Sequence, residues 1–277
     1  MVTPFREGGA LDLDAARRLA AHLTESGSHG VVVAGTTGES PTLSDDEKIE
    51  LLDAVLGEIG ADATVICGTG SNDTRHACGL TRRAAEAGAH GVLVVSPYYN
   101  KPSDDGLRAH FAAVAGAAGE CPIVLYNIPS RSVINMSPDL MAELARDNEP
   151  IVAVKQANND EIGPIEGLEV LAGNDDIFAA CLREGGTGGI LVASHLAGLR
   201  MRELYDTAKT GDHDAAAEIE TELQPLYGAL SAAPPASAVK AALAMEGLIG
   251  ETQRLPMVPV SASVREDLRN FIQNKEA

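Results

Sequence analysis

Eight short runs rich in β-branched and apolar residues recur along the chain. Each is followed by a stretch whose apolar positions have helical spacing, and this alternation restricts the fold more than any other feature. The runs cover residues 2–5, 31–37, 64–70, 91–97, 122–129, 151–157, 168–174 and 188–194. Most of the segments between them carry a helix start signal. These are residues 11–14, Ser44 with Glu47 as a capping box, Asn72-Asp73, Ser103-Asp104-Asp105, and Ser137 ahead of Pro138. Gly27, Gly88 and Gly119 stand where helices should stop. Continuous β-branched runs suit strands buried on both faces, so the class is α/β with a parallel sheet. An open doubly wound sheet and a closed (β/α)8 TIM barrel both fit. The barrel is favoured because the count reaches eight and no G-x-G-x-x-G follows the first strand. Polar residues also recur at the C-terminal ends of separate strands, where such barrels gather their catalytic groups. The expected barrel spans residues 1–211. After it the strands cease, and 212–230, 237–248 and 264–274 read as helices of a small appendage over 212–277. Ala233-Pro234-Pro235 and Arg254-Leu255-Pro256 mark its breaks.

Composition narrows the partners. A chain of 277 residues suits one large domain with an appendage better than several modules. Its formal charge of -19 repels phosphate backbones and anionic bilayers, which argues against nucleic-acid and membrane partners. An anionic substrate would need a local cluster of positive groups. No stretch approaches the ~20 apolar residues of a membrane span, and residues 1–5 do not begin a secretory signal, so a cytoplasmic location is expected. Cys67, Cys78, Cys121 and Cys181 lack C-x-x-C spacing and are expected to be reduced. The histidines show no His-x-x-x-His pair, so no metal is expected.

The run 151–157, Ile-Val-Ala-Val-Lys-Gln-Ala, places Lys155 near the end of an apolar strand. Desolvation there disfavours the ammonium and favours a nucleophilic amine suited to Schiff-base chemistry. A lysine snorkelling past the strand end to solvent fits the same pattern. Other strand ends carry groups that suit such chemistry. Gly35-Thr36-Thr37-Gly38 can cradle a carboxylate with backbone N–H groups and hydroxyls, or it can be an ordinary turn. Tyr126 can fill core or relay protons, and Arg131 can clamp a carboxylate bidentately or simply be solvated. Tyr98-Tyr99 on a loop suits an interface. The glycines from Gly185 to Gly189 suit close backbone packing.

Taken in order, Gly35-Thr36-Thr37-Gly38-Glu39, Tyr98-Tyr99-Asn100-Lys101-Pro102, Tyr126-Asn127-Ile128-Pro129-Ser130-Arg131, Val154-Lys155 and Gly185-Gly186-Thr187-Gly188 resemble the dihydrodipicolinate synthase family. These are pyruvate-dependent class I aldolases, a group that includes N-acetylneuraminate lyase. The resemblance covers almost the whole chain. It implies no cofactor beyond a covalent pyruvate imine on Lys155, and condensation of pyruvate with L-aspartate 4-semialdehyde to 4-hydroxy-tetrahydrodipicolinate in lysine and diaminopimelate biosynthesis. By the resemblance, Tyr126 and Thr36 relay protons with Tyr99, which is supplied across a tight-dimer interface within a homotetramer. Thr37 binds the pyruvate carboxylate in the Gly35 turn, Arg131 takes the semialdehyde carboxylate, and the Ile190 carbonyl lies beside the lysine. Thr36-Thr37 and Arg131 favour this reading over a sugar-acid aldolase of the neuraminate or 2-keto-3-deoxygluconate type, the alternative alongside an inactive pyruvate-binding relative. The positions matching a lysine-binding regulatory site are Ser40, Pro41, Asp45, Lys48, Asn72, His76 and Tyr98. His76 stands there where a carboxylate would pair with lysine's α-amino group, so weak or absent lysine inhibition is expected.

Overall fold

The computed structural model describes residues 1–275. The chain gathers into two compact units, one from Met1–Val65 together with the chain from Val192 onward, the other Ile66–Leu191. In order, the elements are α1 (Leu13–Glu25), β1 (Gly30–Val33), α2 (Asp45–Ile59), β2 (Thr64–Gly68), α3 (Thr74–Glu86), β3 (Gly91–Val95) and α4 (Asp104–Ala118). There follow β4 (Ile123–Asn127), α5 (Pro129–Ser132), α6 (Pro138–Asp147), β5 (Ile151–Gln156), β6 (Glu169–Ala172), α7 (Phe178–Arg183) and β7 (Gly188–Gly189). Then come α8 (Ser194–Lys209), α9 (His213–Ser231), α10 (Pro235–Met245) and α11 (Ala262–Lys275).

Strand order follows chain order from β1 to β7, and the pairings from β2 to β7 are parallel. This is the α/β class that the alternation implies. Within the second unit, Val95 lies beside Tyr126, Tyr126 beside Lys155, and Lys155 beside Leu171. One level near the strands' C-terminal ends therefore carries the tyrosine and the lysine together. Val92 and Val94 of β3 are closed to solvent, as are Leu107 and Phe111 of α4. Each such side chain contributes roughly 1.5–3 kcal/mol of burial. The helix starts form as their side chains require. Ser44 Oγ accepts from Glu47 N, and the Glu47 carboxylate accepts from Ser44 N at 2.9 Å. Asp73, Ser103 and Ser137 cap α3, α4 and α6, each worth about 1 kcal/mol.

In the first unit, Thr64 N donates to His29 O at 3.1 Å, which sets β1 beside the first residues of β2. A Cβ on Gly30 would lie 2.1 Å from Thr64 O, so only glycine lets the strands approach this closely. Helix α1 packs on α2, α8 on α9, and α10 on α11. Positions 236–243 of α10 are all buried, which explains its run of alanines.

Two of the expected strands depart furthest from the structure. Residues 2–5 form no strand; Phe5 makes only an isolated antiparallel bridge with Leu11. Pro4 has no N–H for a ladder, and its carbonyl accepts from Asp12 N at 3.0 Å instead. The run 188–194 yields a strand of only two residues, because the chain turns into α8 at Ser194.

Candidate active site

Lys155 and Tyr126 are register partners on β5 and β4, so their side chains leave the same face of the sheet. Lys155 Nζ lies 4.5 Å from the centroid of the Tyr126 ring, within cation–π range. Tyr126 is buried and Lys155 half-buried. The amine is thus neither sealed in the core nor extended into bulk solvent, and it sits against a phenol able to exchange protons.

The next residues, Asn127 and Gln156, are also register partners, and alternation sends them to the opposite face. Both are closed to solvent. Asn127 Nδ2 donates to Gln156 Oε1 at 3.0 Å, to Asn135 Oδ1 at 2.8 Å and to Met136 O at 3.3 Å, while Asn127 Oδ1 accepts from Met136 N at 3.1 Å. Gln156 Oε1 also accepts from Asn158 N at 3.1 Å. This amide clamp ties the ends of β4 and β5 to the following loops and fixes the register of Tyr126 and Lys155. Ser96, the first residue after β3, is buried and donates its N–H to Tyr126 O at 3.1 Å.

Other expected residues of the second unit fall as follows. Arg131 is exposed on α5, and no described residue pairs with its guanidinium. Val133 ends that helix in the left-handed region at φ 69°. Tyr99 is 86% exposed and is held at φ 73°, with Lys101 at φ 48°. Asn100 Nδ2 anchors this loop through Asn72 O at 2.8 Å. Ile190 follows β7, and its N–H donates to Ala172 O at 2.9 Å. The exposed His76 contacts Ser71 Oγ through Nδ1 at 3.1 Å, and Tyr98 is 39% exposed.

In the first unit, residues 34–40 form a tight turn after β1. Ala34 and Glu39 adopt left-handed φ values of 51° and 56°. Glu39 N donates to Thr36 O at 3.1 Å, and Ser40 N to Gly35 O at 3.2 Å. Thr3 Oγ1 donates to Gly38 O at 2.6 Å. A Cβ on Gly38 would lie 3.0 Å from Met1 O. Thr36 is exposed and Thr37 half-buried. Neither hydroxyl is engaged by another described residue. Ser40 and Pro41 lie in the following 3-10 turn, and Lys48 on α2 is buried 3.9 Å from Asp45. Among the described residues no group of three or more His, Cys, Asp or Glu converges as a metal site. No described helix is long and apolar enough to cross a membrane.

The model of the dihydrodipicolinate synthetase family matches residues 1–275. The chain belongs to the dihydrodipicolinate synthetase family. It is 45% identical over 275 residues to a 4-hydroxy-tetrahydrodipicolinate synthase of Parasynechococcus marenigrum, covering 97% of this chain and 91% of that relative. The crystal structure of dihydrodipicolinate synthase from Thermotoga maritima superposes with a TM-score of 0.96 at 37% identity, over 100% of this chain and 96% of that one. A chloride-inhibited family member from Acinetobacter baumannii, complexed with pyruvate, gives 0.94 at 33% identity over 100% and 97%.

Sequence reasoning singled out Lys155 and Tyr126, and the structure places them together. It passed over the Asn127–Gln156 clamp, Ser96, and a buried ion pair between Lys240 and Glu39. The clamp had a visible signal, since an amide follows each of the two site residues. The ion pair had none.

Proposed function

We propose that this protein is a 4-hydroxy-tetrahydrodipicolinate synthase that condenses pyruvate with L-aspartate 4-semialdehyde through an imine on Lys155. The observation that carries the proposal is the Lys155 amine 4.5 Å from the Tyr126 ring, in a chain matched to the family along its described length. The amine attacks the C2 carbonyl of pyruvate and water leaves. The protonated imine is an electron sink that acidifies the methyl group, and loss of a methyl proton gives the enamine. Its carbon bonds to the semialdehyde's aldehyde carbon, and the aldehyde oxygen takes up a proton. The semialdehyde's amino group then closes onto the imine carbon and releases the Lys155 amine. Tyr126, Thr36 and Tyr99 move the protons. Thr37 and the Gly35 turn hold the pyruvate carboxylate, Arg131 takes the semialdehyde carboxylate bidentately, and the Ile190 carbonyl lies beside the imine.

The parallel sheet is read as a (β/α)8 barrel over residues 1–211, with 212–277 as appended helices. Residues 1–5 stand in for the eighth strand. Bonds from Met1 N to Val32 O at 2.6 Å and from Val2 N to His195 Nε2 at 3.1 Å support this placement. The 86% exposed Tyr99 supports a tight dimer in which that tyrosine serves the neighbouring subunit, within a cytoplasmic homotetramer. The set Ser40, Pro41, Asp45, Lys48, Asn72, His76 and Tyr98 is read as a weakened regulatory site for lysine. The deciding test is turnover of aspartate semialdehyde with pyruvate, measured beside cleavage of N-acetylneuraminate and 2-keto-3-deoxygluconate. Turnover of the semialdehyde alone supports the proposal. Cleavage of either sugar acid in its place, or inactivity on all three, rejects it.

A further inference from the structure

Lys240 on α10 is completely closed to solvent. Its Nζ donates to Glu39 Oε1 at 2.5 Å and to Thr252 O at 2.8 Å, and it lies 4.2 Å from the Phe5 ring centroid. Glu39 is 3% exposed, and its second oxygen accepts from Arg254 N at 3.1 Å. The Arg254 guanidinium covers the same Phe5 ring at 4.5 Å and donates to Gly9 O, Thr42 O and Glu47. Burial pushes the Lys240 ammonium below the ordinary lysine range, while the Glu39 carboxylate pulls it back up.

Taking two charges out of water costs about as much as their attraction returns, so a buried pair adds little net stability. What this pair does fix is geometry. Glu39 closes the turn that begins at Ala34, and both residues hold left-handed backbone that disfavours side chains other than glycine's. Thr36 and Thr37 lie between those two positions. Within residues 34–40, the bonds at Glu39 N and Ser40 N are the backbone contacts that close the turn. The Glu39 carboxylate is the side-chain anchor for that end of the turn, and Lys240 satisfies it from a helix 201 residues further along the chain.

We propose that Lys240 is a positioning residue for the condensation reaction: through Glu39 it locks the turn that presents Thr36 and Thr37 to the keto-acid carboxylate. This rests on the function proposed above. The side chain touches no reacting atom; it fixes the backbone from which the two hydroxyls project. A displacement on the order of an ångström in such a group costs up to ~100-fold in rate.

The test compares Lys240→Met and Glu39→Gln/Lys240→Met with the unmodified protein. The double variant removes both charges and so avoids the buried unpaired carboxylate that the single variant leaves. Cooperative thermal melting reports folding, borohydride trapping reports the pyruvate imine, and steady-state kinetics separate the two substrates. The expected result is a folded double variant whose pyruvate KM rises about tenfold or more, with the semialdehyde KM within about twofold of the unmodified protein. A folded double variant with unchanged pyruvate KM overturns the proposal and leaves the pair a packing feature only. Equal increases for both substrates overturn it as well. If the unmodified protein traps no pyruvate, the proposed function itself falls, and this inference with it.

Discussion

Replacing Asn127 with alanine tests whether the buried amide clamp holds the ends of β4 and β5. Asn127 is fully buried, with a donating amide that faces three acceptors and a carbonyl that accepts from Met136 N. An NH2 group has two protons, so at most two of the three donor contacts are full hydrogen bonds. Two donor bonds at about 1 kcal/mol each give about 2 kcal/mol. The buried Met136 N–H left without a partner adds roughly 1–3 kcal/mol. The expected loss is therefore about 3–5 kcal/mol, read from the midpoint of urea unfolding followed by circular dichroism. Asn127→Asp separates hydrogen bonding from volume. At neutral pH its carboxylate still accepts from Met136 N but meets the oxygens of Gln156 and Asn135 without a proton to offer. Its deficit should match that of the alanine variant and shrink as acid protonates the carboxyl. A loss below about 1 kcal/mol for Asn127→Ala, or a neutral-pH Asn127→Asp as stable as the unmodified protein, would refute the clamp.

Three further outcomes follow from the structure. Arg131→Ala should raise the semialdehyde KM at least about tenfold and leave the pyruvate KM within about twofold; equal effects on both would remove its assigned role. Burial, with the Met1 ammonium adding to it, lowers the His195 pKa from 6.5 to about 3, and burial lowers that of His110. Arg254 lowers that of Glu47 from 4.5 to about 2. The unfolded chain therefore takes up protons that the folded chain refuses. Stability from His195 is complete above pH 6.5 and falls toward pH 3 by up to about 1.4 kcal/mol per pH unit, with Glu47 adding its loss below pH 4.5. A urea midpoint that stays flat from pH 7 to 4 contradicts this. Finally, lysine should inhibit weakly or not at all, since His76 supplies no carboxylate for its α-amino group; half-inhibition at sub-millimolar lysine would overturn that expectation.

The features legible in the sequence are those encoded locally. Capping at Ser44, Asp73, Ser103 and Ser137 depends on residues two or three positions apart, and each cap forms. The strands from β2 to β6 show as apolar, largely β-branched runs because most of their residues are buried. The C-terminal limit of β1 was overrun, since Thr36 and Thr37 have residue types that suit a strand although the chain leaves the strand at Ala34, which takes left-handed backbone. Residues 2–5 read as a strand on composition alone, but Pro4 cannot complete a ladder. Lys155 was legible because a lysine at the end of Ile-Val-Ala-Val is conspicuous. Lys240 was not: within Ala-Val-Lys-Ala-Ala it looks like a surface lysine, and its partner Glu39 lies 201 residues away. Gln156 follows Lys155 in the chain, and strand alternation turns it to the other face, onto Asn127.

Every step of the proposed catalysis begins from an imine between the Lys155 amine and pyruvate. The protein is incubated with pyruvate and borohydride, digested, and mapped by mass spectrometry. One pyruvate-derived adduct is expected, on Lys155, and none on the folded Lys155→Ala variant. An adduct on another lysine, or none in the unmodified protein, would contradict the proposed catalysis.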